Sequence, residues 1–133
     1  MRVLVIDGQG GGLGRQLVTA ITALCPEVEL TAVGTNSMAA SAMLKAGAAR
    51  AATGENAVVV NARRADIIVG PIGIVIADAL LGEITPAMAA AKRVLIPVNH
   101  CENFVVGVPE GPVSQLVQTA AQKVKELCTT GCK

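Results

Sequence analysis

The stretch Arg2-Val3-Leu4-Val5-Ile6-Asp7, running into Gly8-Gln9-Gly10-Gly11-Gly12-Leu13-Gly14, constrains this chain more than any other. Residues 2–6 are an apolar run that reads as a buried strand, and Asp7 with the glycine cluster makes a tight turn out of it. Leu13, Leu17, Val18, Ile21 and Leu24 then recur at helical spacing until Pro26 stops the element. Strand, glycine turn and helix in succession point to a βα unit, the building block of a parallel sheet. Lacking Cβ atoms, the glycines let the backbone approach a ligand closely. The amides freed at the helix N-terminus suit a phosphate or pyrophosphate. The competing reading is a turn that serves packing alone, but five glycines in seven residues exceed that need.

The same pattern continues down the chain. Residues 28–33 make a second strand closed by Gly34. Asn36 or Ser37 caps a short helix with Met38, Ala42 and Met43 on its apolar face, ended by Gly47. Residues 49–52 form a short third strand. Val58-Val59-Val60 has strand propensity, yet a crossover helix is needed before the next strand, so 54–64 is read as helix. Ala65-Asp66-Ile67-Ile68-Val69 is the fourth strand, and an almost wholly apolar helix is expected over 73–81. Thr85-Pro86 caps another helix to about Ala91, and 93–98 is a fifth strand. Phe104 to Val108 adds a sixth, antiparallel across a short turn. Val113, Leu116, Val117, Ala120, Ala121, Val124, Leu127 and Cys128 form one continuous helical stripe. The expectation is an α/β fold: a doubly wound, mostly parallel sheet of five to six strands in a Rossmann-like three-layer sandwich. It forms one domain over residues 1–128, with 129–133 as a fraying tail.

Composition agrees. Hydrophobic residues make up 52% and charged ones only 16%, and the surplus is small or β-branched, which suits a sheet covered on both faces. That apolar surface makes a homodimer or higher homo-oligomer a reasonable expectation, beside an Ala-rich monomer. A net charge of +1 with scattered cations and one aromatic residue disfavours nucleic acid. Apolar runs stop short of a membrane span, no signal peptide is expected before residues 2–6, and four cysteines read as reduced thiols. The expected compartment is therefore the cytoplasm.

The loop spacing is GxxxGxG through Gly8, Gly12 and Gly14, which resembles the short-chain dehydrogenase loop; in that resemblance Gly8 makes the turn and Gly14 permits tight packing of helix on sheet. The catalysts built on such loops are missing. Arg15-Gln16 follows Gly14 where a Walker loop has Lys and Ser or Thr, and the chain contains no tyrosine for a Tyr-x-x-x-Lys pair. Val33-Gly34-Thr35-Asn36 replaces the acid that would grip an adenosine ribose, leaving Thr35 and Asn36 as weaker partners for a ribose or 2′-phosphate.

Ligands of open α/β sheets bind beyond the carboxyl ends of the strands, where the other polar loops fall. These are Gly34-Thr35-Asn36, Thr53-Gly54-Glu55-Asn56, Gly70-Pro71-Ile72-Gly73 and Asn99-His100-Cys101. Helix capping explains Thr53 and Glu55 better than binding does, and a stiff turn explains Pro71 as well as binding does. His100 beside Cys101 suggests a nucleophile with its base or two metal ligands, but adjacent side chains seldom converge and loop polarity is the simpler account. Cys128 and Cys132 join a metal set only if the tail folds back, and Cys25 reads as a core thiol.

Asp7 to Gly14, Gly34-Thr35-Asn36, Ala52-Thr53-Gly54-Glu55-Asn56-Ala57, Gly70-Pro71-Ile72-Gly73-Ile74 and Leu81-Gly82-Glu83-Ile84-Thr85-Pro86 together resemble a bacterial family of small, functionally uncharacterised Rossmann-like proteins. The resemblance spans nearly the whole length and implies a fold and a pocket without a reaction. It also leads one to expect a basic residue, commonly Arg, where His100 stands. Three functions compete: a binder of a nucleotide, dinucleotide or other phosphate-bearing ligand, with NAD(P) or another adenine nucleotide as first expectation; a non-catalytic assembly or regulatory module; and a thiol or metal site at Cys101 and His100.

Overall fold

The computed structural model describes residues 1–91, the backbone of 95–98, and residues 111–131. The first apolar run is strand β1 (Arg2–Asp7), and the glycine cluster leads into α1 (Gly12–Leu24). There follow β2 (Glu29–Gly34), α2 (Ser37–Lys45), β3 (Arg50–Thr53), α3 (Glu55–Arg64) and β4 (Ile67–Pro71). A 3-10 turn (Ile72–Val75), α4 (Pro86–Ala90), β5 (Leu95–Val98) and α5 (Val113–Thr130) complete the described chain. The strands lie in the order β3-β2-β1-β4-β5 and every pairing is parallel. Succession therefore runs outward from β1 through β2 to β3, then returns to the other side of β1 for β4. The switch point falls between β1 and β4, where the carboxyl-end loops diverge and leave a crevice.

Alternation along β1 divides the core in two. Val3 and Val5 face a cluster built by α1, α2 and α5, including Leu17, Ile21, Met43, Ala121 and Val124. Leu4 and Ile6 face the other side, against Val58 and Ala62 of α3 with Ile74, Ile84 and Met88. Period-2 alternation with both faces buried is what a parallel sheet between helices requires. The valine-rich segment is helical, as expected: the β3-to-β4 crossover needs a helix, and Val58 and Ala62 at i, i+4 supply its buried stripe. Asn36 caps α2 by accepting the Ala39 amide at 2.8 Å, and Thr85 caps α4 by accepting that of Met88 at 3.2 Å. Cys25 is fully buried, and burial followed by Glu27 raises its thiol pKa, as befits a core thiol.

Three expectations are corrected. No helix spans 73–81. After the 3-10 turn the chain makes successive turns in which Asp78, Leu80 and Leu81 have φ of 66°, 56° and 57° and Gly82 has φ of 86°. A right-handed helix cannot pass through that run, whatever its apolar content. The inner face of α2 is Ala39, Ala40 and Met43, not Met38, Ala42 and Met43. Gly11 approaches so closely that a Cβ there would stand 2.7 Å from the Ala39 Cα, so only small residues fit, and Met38 is 68% exposed. Finally, α5 continues through Thr130 where fraying was expected from 129. The hydroxyls of Thr129 and Thr130 both donate to the Glu126 carbonyl at 2.8 Å and tie down the last turn. The sixth strand (104–108), Asn99, His100, Cys101 and Cys132 lie outside the described residues. No helix among those described is long and apolar enough to cross a membrane.

Candidate functional site at the switch point

The glycine loop is folded around a buried carboxylate. Asp7, 5% exposed at the end of β1, accepts the amide of Gly8 at 2.8 Å and that of Gly14 at 2.6 Å. The turn between them closes through the Gly11 amide, which donates to the Gly8 carbonyl at 2.9 Å. Three of the five glycines follow from this geometry. A Cβ on Gly14 would meet Met43 Sδ at 2.6 Å and Asp7 Cβ at 2.7 Å. One on Gly8 would meet Thr35 Oγ1 at 2.7 Å and Glu83 Oε2 at 2.8 Å, while Gly11 has φ of 71°. Gly10 and Gly12 are different. Neither has a left-handed φ, and among the described residues a Cβ on either would meet nothing within 4 Å. Neither backbone conformation nor the packing of the described residues asks for glycine there.

Those two positions border the open end of α1. Its N-cap, Gly11, has no side chain to cap it, its first turn carries no acidic residue, and of its first three amides Asp7 takes only that of Gly14. Among the described residues, no acceptor meets the amides of Gly10, Gly12 and Leu13. A cavity of about 230 Å³ lies over them, lined by Asp7, residues 8–13, Pro71 and Leu80. The loops after β1 and β4 thus meet at the switch point. Larger hollows lie elsewhere: about 740 Å³ between α1, α2 and α5, about 590 Å³ along α5 beside Leu24, and about 510 Å³ at the amino ends of the strands. Size favours those hollows, but at the small one open first-turn amides stand beside two glycines that neither φ nor any described contact requires, and that combination decides the choice.

A residue absent from the sequence-based candidates completes the site. Glu83 Oε2 accepts the Gln9 amide at 2.9 Å, the Thr35 hydroxyl, and Asn36 Nδ2 at 3.0 Å. Asn36 Nδ2 also donates to the Gln9 carbonyl at 2.8 Å. Burial acts to raise the Glu83 pKa, but the Thr35, Gln9 and Asn36 donors outweigh it and hold the carboxyl below its ordinary value. Thr35 and Asn36, expected to meet a ribose, do lie beside the glycine loop, but their donors are engaged by Glu83. Glu83 stood in the sequence only as part of Leu81-Gly82-Glu83-Ile84-Thr85-Pro86, with no sign that it would meet the donors at the end of β2.

The other candidates are placed as follows. Gly34 and Gly70 are buried, and a side chain on either would strike backbone, that of Ala40 or the Ile6 carbonyl. Gly73 is buried within the 3-10 turn, and Ile72 is half-buried outside the described lining of the cavity. Thr53, Gly54, Glu55 and Asn56 lie at the end of β3, two strands from β1, and none lines the cavity. Gly54, with φ of 100°, is the N-cap of α3, so Thr53 makes no cap; Glu55 supplies a first-turn acid. Among the described residues no group of three or more His, Cys, Asp and Glu could hold a metal ion.

Fold and site define a class: a parallel α/β domain with a glycine loop at the switch point of its sheet. Within it, the chain belongs to the family described as Domain of unknown function (DUF3842), whose model matches residues 2–129. No curated protein matches the chain.

Proposed function

We propose that this protein is a Rossmann-type three-layer sandwich that binds a phosphate-bearing ligand at its N-terminal glycine loop, as a cytoplasmic binder or sensor. The observation that carries this reading is the pair Gly10 and Gly12. Among the described residues nothing steric or conformational requires glycine there, and three amides beside them at the amino end of α1 meet no acceptor. A phosphate oxygen needs both the donors and the room that a side chain would take. The cavity, at about 230 Å³, suits the phosphate rather than a whole nucleotide, since pockets for drug-sized ligands start near roughly 300 Å³. The nucleoside of NAD(P) or another adenine nucleotide would extend past the loop towards Thr35 and Asn36.

A thermal-shift series with NAD(P), ATP, coenzyme A and inorganic pyrophosphate tests this. A ligand at about 100 times its dissociation constant adds about 2.7 kcal/mol. Stabilisation that Gly12→Val abolishes supports the reading, and no response to any of the four ends it.

One observation favours the alternative of an assembly module. Leu81 is 96% exposed on a left-handed backbone close to the site, and Met38 is 68% exposed. If these side chains seat another copy, sedimentation will show a homo-oligomer that Leu81→Asn dissociates.

A further inference from the structure

The Glu83 contact has the form of a ligand contact made by the chain itself. Three donors from two separate elements, the Gln9 amide of the glycine loop and the side chains of Thr35 and Asn36 after β2, converge on one carboxylate oxygen. Convergence of donors on one anionic oxygen is how proteins hold phosphate and carboxylate groups. We propose that these three donors form a second anion subsite, occupied at rest by Glu83 and yielded to the ligand when the 76–84 segment swings aside. This rests on the phosphate-loop reading and adds a ligand class. The ligand carries two anionic groups, one for the Gly10, Gly12 and Leu13 amides and one for the Glu83 position, as in a diphosphate.

The segment carrying Glu83 is built to move as a unit. It is bonded internally: the Asp78 amide donates to the Ile84 carbonyl at 2.7 Å, Gly82 to Asp78 at 3.1 Å and Glu83 to Leu80 at 3.2 Å. It pivots on Ile74 before it and on its own last residue, Ile84, both fully buried in the core. Between those anchors, it meets the glycine loop through the Glu83 carboxylate and through Leu80, which lines the cavity and whose Cδ1 overhangs Gly8. Leu80 and Leu81 in the segment hold left-handed φ, an unfavourable conformation for a leucine. Releasing Glu83 uncovers the roof of the cavity and vacates the three donors together. An incoming diphosphate replaces one carboxylate oxygen with one phosphate oxygen, so no donor in the half-buried site is left without an acceptor.

Hydrogen exchange and calorimetry on the full chain, with inorganic pyrophosphate as two-anion probe and orthophosphate as one-anion probe, test this. In the wild type, pyrophosphate should speed amide exchange across 76–84, whereas orthophosphate should leave it unchanged; this arm needs no variant. Glu83→Gln, which keeps the side chain's volume, should bind pyrophosphate about tenfold more tightly, because closed molecules no longer lower the apparent affinity. Pyrophosphate bound equally or more weakly by Glu83→Gln, or bound by the wild type without faster exchange in 76–84, overturns the subsite and leaves the phosphate loop standing. No binding of pyrophosphate by either protein overturns the subsite, and the phosphate loop falls with it when NAD(P), ATP and coenzyme A also give no stabilisation.

Discussion

Gly14 donates its amide to Asp7 Oδ2 at 2.6 Å, and at that approach a Cβ on Gly14 would lie 2.7 Å from the Asp7 Cβ and 2.6 Å from Met43 Sδ. Strand end and helix start are thus joined by one buried hydrogen bond that only glycine allows. Gly14→Ala forces Asp7, Met43 or α1 to shift. It should cost about 1–3 kcal/mol, the range for overpacking a tight core, read as a lowered denaturant midpoint with an unchanged slope.

Gly12→Ala makes the opposite prediction one turn of chain away. Its Cβ enters open space and its φ is not left-handed, so the folded state loses nothing. The unfolded chain loses freedom, and the variant should be neutral or gain up to about 1 kcal/mol. Phosphate-ligand affinity should nonetheless fall, because the methyl stands beside the amides that hold the ligand. A protein that keeps or raises its Tm while losing its ligand response separates binding glycines from packing glycines. If Gly12→Ala were as destabilising as Gly14→Ala, the distinction would collapse.

The depressed pKa of Glu83 sets a pH dependence. A carboxyl whose folded pKa lies below its unfolded value contributes stability that is fully present above the unfolded value and is lost as pH falls through the folded one. Denaturant titrations from about pH 7 downward should therefore show wild-type stability declining below about pH 4.3, the ordinary Glu value. Glu83→Gln should be about 1–2 kcal/mol less stable at neutral pH, a range that allows for partial exposure. Its acid limb should be flatter, so that the two curves converge at low pH. Asp66, held low by hydrogen bonds from Arg2, adds to the acid limb of both proteins and cancels in the difference.

How far the sequence disclosed this molecule depends on the range of the signal. The run 2–6, the glycine cluster and the Leu17–Ile21 stripe are contiguous, and each implies a local conformation, so β1, the loop and α1 were legible. Met38 misled because hydrophobicity was weighed without distance: the close approach of Gly11 selects Ala39 and Ala40 over a longer side chain. The 76–84 segment misled because Ile, Ala and Leu suit a helix, and nothing in their propensities foretells left-handed φ at Asp78, Leu80 and Leu81. Glu83 escaped notice for a third reason. Its partners Thr35 and Asn36 are 48 and 47 residues away in sequence, and only the return of β4 to the other side of β1 brings the segment after it over the glycine loop.

Leu81 offers a stability test within that segment. At φ of 57° an L-residue other than Asn, Asp or Gly is disfavoured by about 1–2 kcal/mol, and a side chain 96% exposed makes few contacts in return. Leu81→Gly should therefore stabilise the isolated chain, by somewhat under about 1 kcal/mol once the greater freedom of glycine in the unfolded state is counted. Leu80 has nearly the same φ of 56°, but its side chain is half-buried and overhangs Gly8. Leu80→Gly relieves the same conformation while removing that contact, and should be neutral or destabilising. Thermal melts of the two variants at several protein concentrations separate strain from burial. If Leu81→Gly instead lowers Tm in a concentration-dependent way, the leucine is holding a second molecule, and its exposure marks an interface.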